Sequence, residues 1–445
     1  MKTFKNYIYI IAALAVTAGC KPSIETPAAK AGSADFTRYI AVGNSLTAGF
    51  ADGGLYLEGQ QNSYPSIIAK QMAAVGGGAF VQPLFNESQA NGSGYIKLTG
   101  FTATGSPVTA NVTENVAVRG QVSVPGFGNV TLYTKYTGDI NNYGVPGIKL
   151  QQAAFAPYGN LNGYYERMLA GNSPTNNTAY IDFVTAKPFT FFTNWLGNND
   201  ALGYATSGGA GDVLTDKAQF TQLYNLVIGK LTAANQKGAV ATIPDVTSIP
   251  YFNTVTVGAI LAAVKAANPA AQAIYVSART NANPGTGTYA ARIATTADLI
   301  TLTFPTSKMG QPVSTPAGML PYGLTPLTPI ETQYVLDANE VILAKDYVNS
   351  YNTTIKAVAA TKGLALFDAF TFLNGVKQHG LVVDGVSVTS SFISGGLFSL
   401  DGVHLTPRGY AIVANEFIKA INNQYGSTIP TVSVADYRGV KFPGK

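Results

Sequence analysis

The sequence predicts an α/β fold in which a parallel sheet is covered by helices on both faces. Short apolar runs that suit buried strands alternate with stretches of helical hydrophobic periodicity, and this alternation carries the prediction. The composition changes twice, at about residues 76–140 and 251–330, where the alternation stops. We therefore expect one folded domain over residues 36–430 that contains two insertions.

The N-terminal elements follow from local signals. The run Tyr39-Ile-Ala-Val42 ends at Gly43 and is typical of a buried strand that leads into a turn. Ser63 and Pro65 are start signals for a first helix that continues through Met72.

The two insertions differ in composition and in hydrophobic pattern. The first is rich in Gly, Thr, Val and Asn, and the alternation at 122–124 and 130–133 predicts β-rich, antiparallel hairpins. The second contains a possible helix at 257–267, followed by a long Pro-, Gly- and Thr-rich passage. A structureless loop of that length is uncommon in a compact domain, so we expect strands there or a segment that lies over a cleft.

In the rest of the chain, strands are predicted at 189–192, 239–243 and 364–367. Helical periodicity covers Phe220 to Leu231, and Asp337 with Glu340 forms a capping-box start for another helix. The last helix is predicted from Thr406-Pro407 to about Tyr425-Gly426.

The two ends of the chain are predicted to lie outside the folded domain. Residues 1–19 have two lysines, a short apolar run and small residues before Cys20, as in a secretory signal peptide. The resemblance to a bacterial lipobox implies that Cys20 is acylated, for example with palmitate, although an ordinary cleaved signal is the alternative. Residues 20–35 are expected to be a flexible tether and 431–445 a C-terminal tail. The protein is thus expected to be exported and lipid-anchored to a bacterial membrane, at the periplasmic or surface face of the outer membrane.

Composition excludes several classes of function. The formal net charge is only +5 and charged residues are scattered at 11%, which disfavours nucleic-acid binding. The chain has one cysteine and two well-separated histidines, so neither a disulfide nor a metal site is expected. No P-loop or dinucleotide-binding glycine pattern is present, and we expect no cofactor. The oligomeric state stays open.

The scarcity of histidine narrows the choice of a catalytic base. His404 follows Asp401 by three residues, a spacing on a loop that lets the carboxylate face the imidazole. Ser45 sits in Gly-Asn-Ser-Leu directly after the first predicted strand, at the edge where open parallel sheets form active crevices. Gly144 in Asn-Tyr-Gly-Val-Pro-Gly and Asn199 in Gly-Asn-Asn-Asp would supply a backbone N–H and a side-chain amide to an oxyanion.

These four segments, in this order, resemble the four motif blocks of the SGNH hydrolases, the GDSL esterase and lipase superfamily. The resemblance covers about residues 36–71, 141–246 and 332–425 and leaves both insertions out. It implies a flavodoxin-like three-layer α/β/α fold of five parallel strands. It implies Ser45 as nucleophile and first oxyanion donor, with Gly144 and Asn199 as the other donors. It also implies His404 as general base and Asp401 as the carboxylate that orients it.

Other residues fit the pattern less well. Asn44 stands where the family more often has Asp; since Asn keeps one acceptor oxygen, we expect a changed turn polarity and not lost activity. Asp368 is an alternative partner for His404, whereas His379 has no carboxylate at a suitable spacing. Trp195 could line the acyl pocket, but core packing is the default expectation.

The sequence thus predicts a lipid-anchored serine ester hydrolase that works through an acyl-enzyme. Within this class, a carbohydrate acetyl esterase, a lipase or lysophospholipase, and a thioesterase remain open, as does acyl transfer to an alcohol. The substrate would be a small-molecule, glycan or lipid ester. The alternative from another class is a non-catalytic surface binding protein on the same scaffold.

Overall fold

The computed structural model describes residues 28–103 and 105–444. The predicted signal peptide, Cys20 and the first part of the predicted tether lie outside these residues. No helix in the described ranges is both long and apolar enough to cross a bilayer.

A five-stranded parallel sheet forms the centre of the described fold, and its strands lie side by side in the order 365–367, 237–241, 191–195, 39–43 and 142–144. The strands are β1 Tyr39–Gly43, β2 Tyr95–Phe101, β3 Pro107–Val112, β4 Val118–Val124, β5 Gly128–Tyr133, β6 Asn142–Gly144, β7 Phe191–Trp195, β8 Lys237–Ala241, β9 Tyr275–Arg279, β10 Tyr289–Ile293, β11 Leu299–Ile300, β12 Pro312–Thr315, β13 Gly318–Pro321, β14 Val335–Leu336, β15 Ala365–Phe367, β16 Leu381–Val383 and β17 Val386–Val388. Strands β1, β6 and β7 are buried along their whole length, as a sheet covered on both faces requires.

Helices cover the sheet. They are α1 Ser45–Ala48, α2 Leu57–Gln61, α3 Tyr64–Met72, α4 Leu150–Ala153, α5 Gly163–Glu166, α6 Tyr180–Val184, α7 Asn199–Thr206, α8 Lys217–Leu231, α9 Pro250–Asn253, α10 Val257–Ala267, α11 Ala338–Lys362, α12 Ala369–His379 and α13 Pro407–Tyr425. Short 3₁₀ turns lie at Ala73–Val75, Glu87–Gln89, Ala156–Asn160, Thr306–Lys308, Thr332–Tyr334 and Val434–Asp436. The three-layer α/β architecture predicted from the sequence is confirmed.

The long helices pack in pairs. Helix α13 packs on α3, where Phe417 stacks on Tyr64 with ring centroids 5.0 Å apart. Helices α8 and α11 pack on each other through Phe220 and Tyr351, whose ring centroids are 3.9 Å apart. Stacked aromatic pairs of this kind bury large apolar areas, so they hold the helices in fixed positions over the sheet.

Local capping explains where the longest helices begin and end. The Asp337 side chain accepts from the N–H groups of Asn339 and Glu340, while the Glu340 carboxylate accepts from the Asp337 N–H. This is the predicted capping box. Thr406 caps α13 by accepting from the Gly409 N–H, and Gly426 ends that helix in a left-handed conformation.

Both insertions are folded. The first forms two antiparallel hairpins, β2–β3 and β4–β5, as its alternating sequence predicts. The second begins with α9 and the predicted helix α10, and it adds the hairpins β9–β10 and β12–β13 around a small apolar core. Residues of both insertions, among them Ile96 and Tyr251, line one cavity together with Phe50, which lies shortly after β1.

Two strands are shifted by two residues from their predicted positions. Strand β7 starts at Phe191 and not at residue 189, because its ladder with β1 begins where Phe191 pairs with Tyr39. Strand β8 covers 237–241 and not 239–243, since Lys237 pairs with Phe191 on the same neighbour. The alignment of strand starts across the sheet is set by pairing partners far away in sequence, which local hydrophobicity does not encode.

Packed structure extends beyond both ends expected for the domain. The Ser33 N–H donates to the Tyr425 carbonyl at 2.9 Å, and Ala34 is buried. In the predicted tail, Val434 is fully buried and the Arg438 carbonyl accepts from the Arg408 N–H. The described chain is therefore packed from about residue 30, and well past residue 430.

Candidate active site

Ser45 lies where strand β1 ends and the short helix α1 begins. The Asn44 side chain caps this helix, since its Oδ1 accepts from the Leu46 N–H at 3.1 Å. One acceptor oxygen was expected to suffice at this position, and it is the oxygen that is used; the amide nitrogen of Asn44 is buried without a hydrogen bond to described residues. Gly43 has to be a glycine because a Cβ there would lie 2.0 Å from the hydroxyl of Thr47.

Three of the predicted site residues are joined by hydrogen bonds. His404 Nε2 lies 2.8 Å from Ser45 Oγ, and His404 Nδ1 lies 2.8 Å from Asp401 Oδ2. The serine and the histidine are 359 residues apart in the chain, and the fold brings them together at the carboxyl end of β1. This is the arrangement needed for a hydroxyl to lose its proton to an imidazole that a carboxylate orients.

The Asp401 carboxylate is held by several donors. Its Oδ1 accepts from the N–H groups of Val403 and His404 at 2.9 and 2.8 Å, and from the Ser399 hydroxyl at 3.1 Å. Its Oδ2 accepts from the Gly53 N–H at 2.9 Å in addition to the imidazole. Burial would raise the pKa of Asp401, but attraction to His404 and the hydrogen bonds from His404 and Val403 hold that pKa well below its usual range. Asp401 is therefore ionised and fixed in orientation.

A loop directly after the Ser45 helix supports this carboxylate, and no sequence pattern indicates this role. The Asp52 N–H donates to Ser399 Oγ at 2.9 Å, and Asp52 Oδ1 accepts from the Leu400 N–H at 2.9 Å. Asp52 and Gly53 both have positive φ, which turns this loop towards the Asp401 loop. The Phe50 ring packs on the His404 ring, with centroids 4.6 Å apart.

Asn199 begins helix α7 and lines the same cavity as Ser45 and His404. Its Nδ2 donates to the Ile148 carbonyl at 3.0 Å, which fixes the side-chain amide. An amide nitrogen carries two hydrogens, so the second is available to a ligand in the cavity.

The prediction that Gly144 supplies an oxyanion donor is wrong on the geometry. The Gly144 N–H donates to Asn142 Oδ1 at 2.9 Å and is therefore occupied. Gly144 also packs under α1, where an added Cβ would lie 2.3 Å from the Ala48 nitrogen. Gly144 is a glycine because the helix that carries Ser45 lies against it.

The second glycine of the same motif has the properties expected of a donor. Gly147 is exposed, has a φ of +84°, and its N–H has no hydrogen-bond partner among the described residues. The next residue, Ile148, accepts from the Asn199 amide, so Gly147 lies beside that side chain. Gly147, in the same Asn-Tyr-Gly-Val-Pro-Gly motif, is thus a candidate donor in place of Gly144.

The remaining candidates lie outside the site. Asp368 caps α12 and pairs with Lys356 at 2.7 Å, so it does not orient His404. Trp195 is fully buried in the core and donates its indole N–H to the Thr242 carbonyl. His379 ends α12, and it lines neither of the two cavities at the triad.

Two cavities meet at His404. The first, which we call the serine cavity, has a volume of about 50 Å³ and is lined by Asn44, Ser45, Leu46, Asn198, Asn199, Leu202, Ile243, Pro244, Val246, Ile249, Val403 and His404. The second, which we call the insertion cleft, has a volume of about 650 Å³ and is lined by Phe50, Gly53, Ile96, Pro107, Thr109, Leu202, Thr206, Tyr251, Leu302, Thr303, Phe392, Leu400, Asp401, Val403 and His404. Residues of both insertions form walls of the cleft.

A serine, a histidine and a carboxylate joined in this way at the carboxyl edge of a parallel sheet form the site of a serine hydrolase. The family model described as GDSL-like Lipase/Acylhydrolase matches residues 39–417, and the chain belongs to this family. The protein is accordingly a hydrolase that acts on ester bonds. No curated protein matches the chain.

Two solved structures resemble the chain at 11% sequence identity. One is LAE5, an alpha/beta hydrolase enzyme from the metagenome of Lake Arreo, Spain; the similarity covers 87% of this chain and 96% of LAE5, with a TM-score of 0.36. The other is the lipase/acylhydrolase from Enterococcus faecalis, with 89% and 100% coverage and a TM-score of 0.32. Both TM-scores are below 0.5, so the family assignment rests on the family model.

Proposed function

We propose that Ser45 is the nucleophile of a two-step ester hydrolysis that passes through an acyl-enzyme. His404 takes the proton from Ser45 as its oxygen attacks the ester carbonyl, and then gives that proton to the departing alcohol. Water repeats the sequence on the acyl group and releases the acid. The observation that carries this proposal is the pair of 2.8 Å contacts that join Ser45, His404 and Asp401.

Asp401 fixes the tautomer of the imidazole. Its carboxylate accepts from Nδ1, so the unprotonated Nε2 faces Ser45 Oγ and can accept the serine proton. Because four further hydrogen bonds hold the carboxylate in place, little reorganisation is needed when the imidazolium forms.

Three donors are proposed to hold the oxyanion: the Ser45 N–H, the Asn199 amide and the Gly147 N–H. The backbone N–H groups of Ser45 and Gly147 have no hydrogen-bond partners among the described residues, so they are free to bind the oxyanion. The pairing of Gly43 with Gly144 puts the segment after β6 beside the turn that carries Ser45. Gly147 therefore replaces Gly144 in the proposed site.

The protein is further proposed to be exported and anchored through an acylated Cys20. The N-terminal end of the described chain lies beside the C-terminal end of helix α13, where the Lys30 carbonyl accepts from the Thr428 N–H. His404 lies just before the other end of that 19-residue helix, about 28 Å away along its axis. The predicted tether joins the N-terminal end of the described chain to Cys20. In cells, a Cys20→Ala protein should lose incorporated palmitate and leave the membrane fraction; retention of both would overturn the anchor.

The test of the catalytic proposal is hydrolysis of p-nitrophenyl butyrate by the protein lacking residues 1–20. Ser45→Ala should abolish turnover, while the matched control Ser391→Ala, an exposed serine on a different loop, should leave it unchanged. Equal thermal unfolding temperatures for the three proteins would show that folding is intact. Turnover that survives in Ser45→Ala would overturn the proposal.

A further inference from the structure

We propose that the substrate is a short-chain acyl ester of a bulky, uncharged alcohol, with the acyl group in the serine cavity and the alcohol in the insertion cleft. This inference rests on the proposed function, since it assigns the two sides of the ester to the two cavities around the same triad. It names a substrate class that the triad alone does not specify.

Proton transfer from His404 determines which cavity holds the acyl side of the ester and which holds the alcohol side. The departing oxygen must receive a proton from His404, so the alcohol has to leave on the side of the imidazole. The insertion cleft is lined by His404, Asp401 and Phe50 but not by Ser45. His404 lines the serine cavity as well, but only the serine cavity is lined by Ser45 and Asn199, and it therefore adjoins the carbonyl carbon after attack. Leu202, Val403 and His404 line both cavities and form the boundary between them.

The serine cavity limits the length of the acyl chain. Its volume of about 50 Å³ leaves room for about three to five carbon atoms, given that roughly 10–15 Å³ of such volume holds one water-sized group. Ile243, Val246 and Ile249 line it with apolar side chains that are themselves buried, so the cavity is not extended by a small shift of an exposed residue. A close-packed wall of this kind excludes longer chains.

The insertion cleft accepts a much larger group. Ile96 and Pro107 from the first insertion line it together with Tyr251 and Leu302 from the second, and Phe392 adds an aromatic face. Its volume of about 650 Å³ is in the range of sites for drug-sized ligands.

Charge excludes one class of alcohol from the cleft. None of the described residues that line it is Lys or Arg, and its one acidic residue, Asp401, is engaged with His404. A phosphate-bearing alcohol would lose hydration there without gaining a cationic partner, which is unfavourable. An uncharged alcohol with an apolar or aromatic face fits these walls.

The acyl side is tested with 1-naphthyl acetate, butyrate, octanoate and laurate. The wild-type protein should have a kcat/KM at least about 100-fold higher for butyrate than for laurate, because a chain that does not fit cannot hold the carbonyl in place. Ile249→Ala should raise the ratio of kcat/KM for octanoate to kcat/KM for butyrate about tenfold. The smaller truncation Val246→Ala should change this ratio in the same direction. The matched control is Ile260→Ala, which has the same 6% exposure but lines neither cavity.

The alcohol side is tested with Phe392→Ala. This variant should raise KM about fivefold for 1-naphthyl butyrate and leave ethyl butyrate unchanged, since only the larger alcohol reaches the aromatic ring. Phe155→Ala, which removes a surface phenylalanine outside the cleft, is the control. Lysophosphatidylcholine, whose alcohol side carries phosphate, should not be hydrolysed.

The outcomes separate this inference from the proposed function. If laurate or lysophosphatidylcholine is the better substrate and Ser45→Ala abolishes its hydrolysis, the substrate class is overturned and the catalytic proposal stands. If the octanoate-to-butyrate ratio of kcat/KM is unchanged in both Ile249→Ala and Val246→Ala, the assignment of the acyl chain to the serine cavity is overturned. Ester hydrolysis that survives in Ser45→Ala would overturn both proposals.

Discussion

Replacing Asp401 by Asn tests the tautomer argument with a change of very few atoms. In the native site, Asp401 Oδ2 accepts from His404 Nδ1 at 2.8 Å and from the Gly53 N–H at 2.9 Å. An amide NH₂ at that position would face two N–H donors. The reverse orientation would instead put the NH₂ against the N–H groups of Val403 and His404, which donate to Oδ1 at 2.9 and 2.8 Å.

The expected loss of kcat follows from the change of tautomer that the amide imposes on the imidazole. To accept a hydrogen bond from the amide, Nδ1 has to lose its proton, and the proton moves to Nε2. Nε2 lies 2.8 Å from Ser45 Oγ and could no longer accept the serine proton. Loss of the correct tautomer in a serine–histidine–aspartate site lowers kcat by roughly 10⁴-fold. That factor corresponds to about 5.4 kcal/mol of transition-state stabilisation.

The assay is the steady-state kcat of Asp401→Asn on p-nitrophenyl butyrate at pH 7.5. The matched control is Asp368→Asn, because Asp368 was the alternative partner for His404 and instead pairs with Lys356. We expect the control to keep wild-type kcat within about twofold, since a partly exposed ion pair contributes little. If Asp401→Asn retained more than a tenth of the activity, or if Asp368→Asn lost it, the argument would fail.

Three further predictions concern the neighbouring groups. Asn199→Ala should lower kcat by about 10²–10³-fold with little change in KM, as expected for a lost oxyanion donor; an unchanged kcat would remove Asn199 from the site. Gly144→Ala should lower the unfolding temperature because its Cβ collides with the Ala48 backbone. Gly147→Ala should fold, since its Cβ has space, but it should lose kcat because alanine is strained at a φ of +84° and the backbone N–H shifts; the reverse pattern would restore Gly144 as the donor. Burial raises the pKa of Asp52, so its stabilising effect is present below the unfolded pKa of about 3.9 and is lost as the pH rises through the folded value. Asp52→Asn should therefore raise the unfolding temperature by about 1–2 °C at pH 8 but not at pH 3.5, and calorimetry at the two pH values tests this.

The sequence was sufficient for the fold and for most of the site because local signals carry both. The capping box at Asp337 and the Thr406-Pro407 helix start are found where the sequence predicts them. Ser45 follows strand β1, and Asp401 and His404 precede helix α13. The sequence predicts both elements, and their packing brings the three residues together.

The proposed oxyanion glycine cannot be identified from the sequence alone because its motif contains both Gly144 and Gly147. What separates Gly144 from Gly147 is the side chain of Asn142, which occupies the Gly144 N–H, and the packing of α1 over Gly144. Both contacts depend on how β6 lines up with β1, and that register is a property of the assembled sheet.

The support of Asp401 was missed for a related reason. Gly53 and Asp401 are 348 residues apart, and Gly53 contributes only its backbone N–H, which any residue other than proline carries. The residues that line the insertion cleft could not be predicted from the sequence either, since Ile96 and Tyr251 come from segments outside the resemblance to the SGNH family. Specificity therefore has to be derived from the assembled site.

The most direct test of the central claim is mass spectrometry of the protein after reaction with a fluorophosphonate. We predict one adduct per chain, located on Ser45, with no adduct in His404→Ala, because the serine oxygen attacks only when the imidazole accepts its proton. The absence of an adduct in the folded wild-type protein, or an adduct on another serine, would contradict the account.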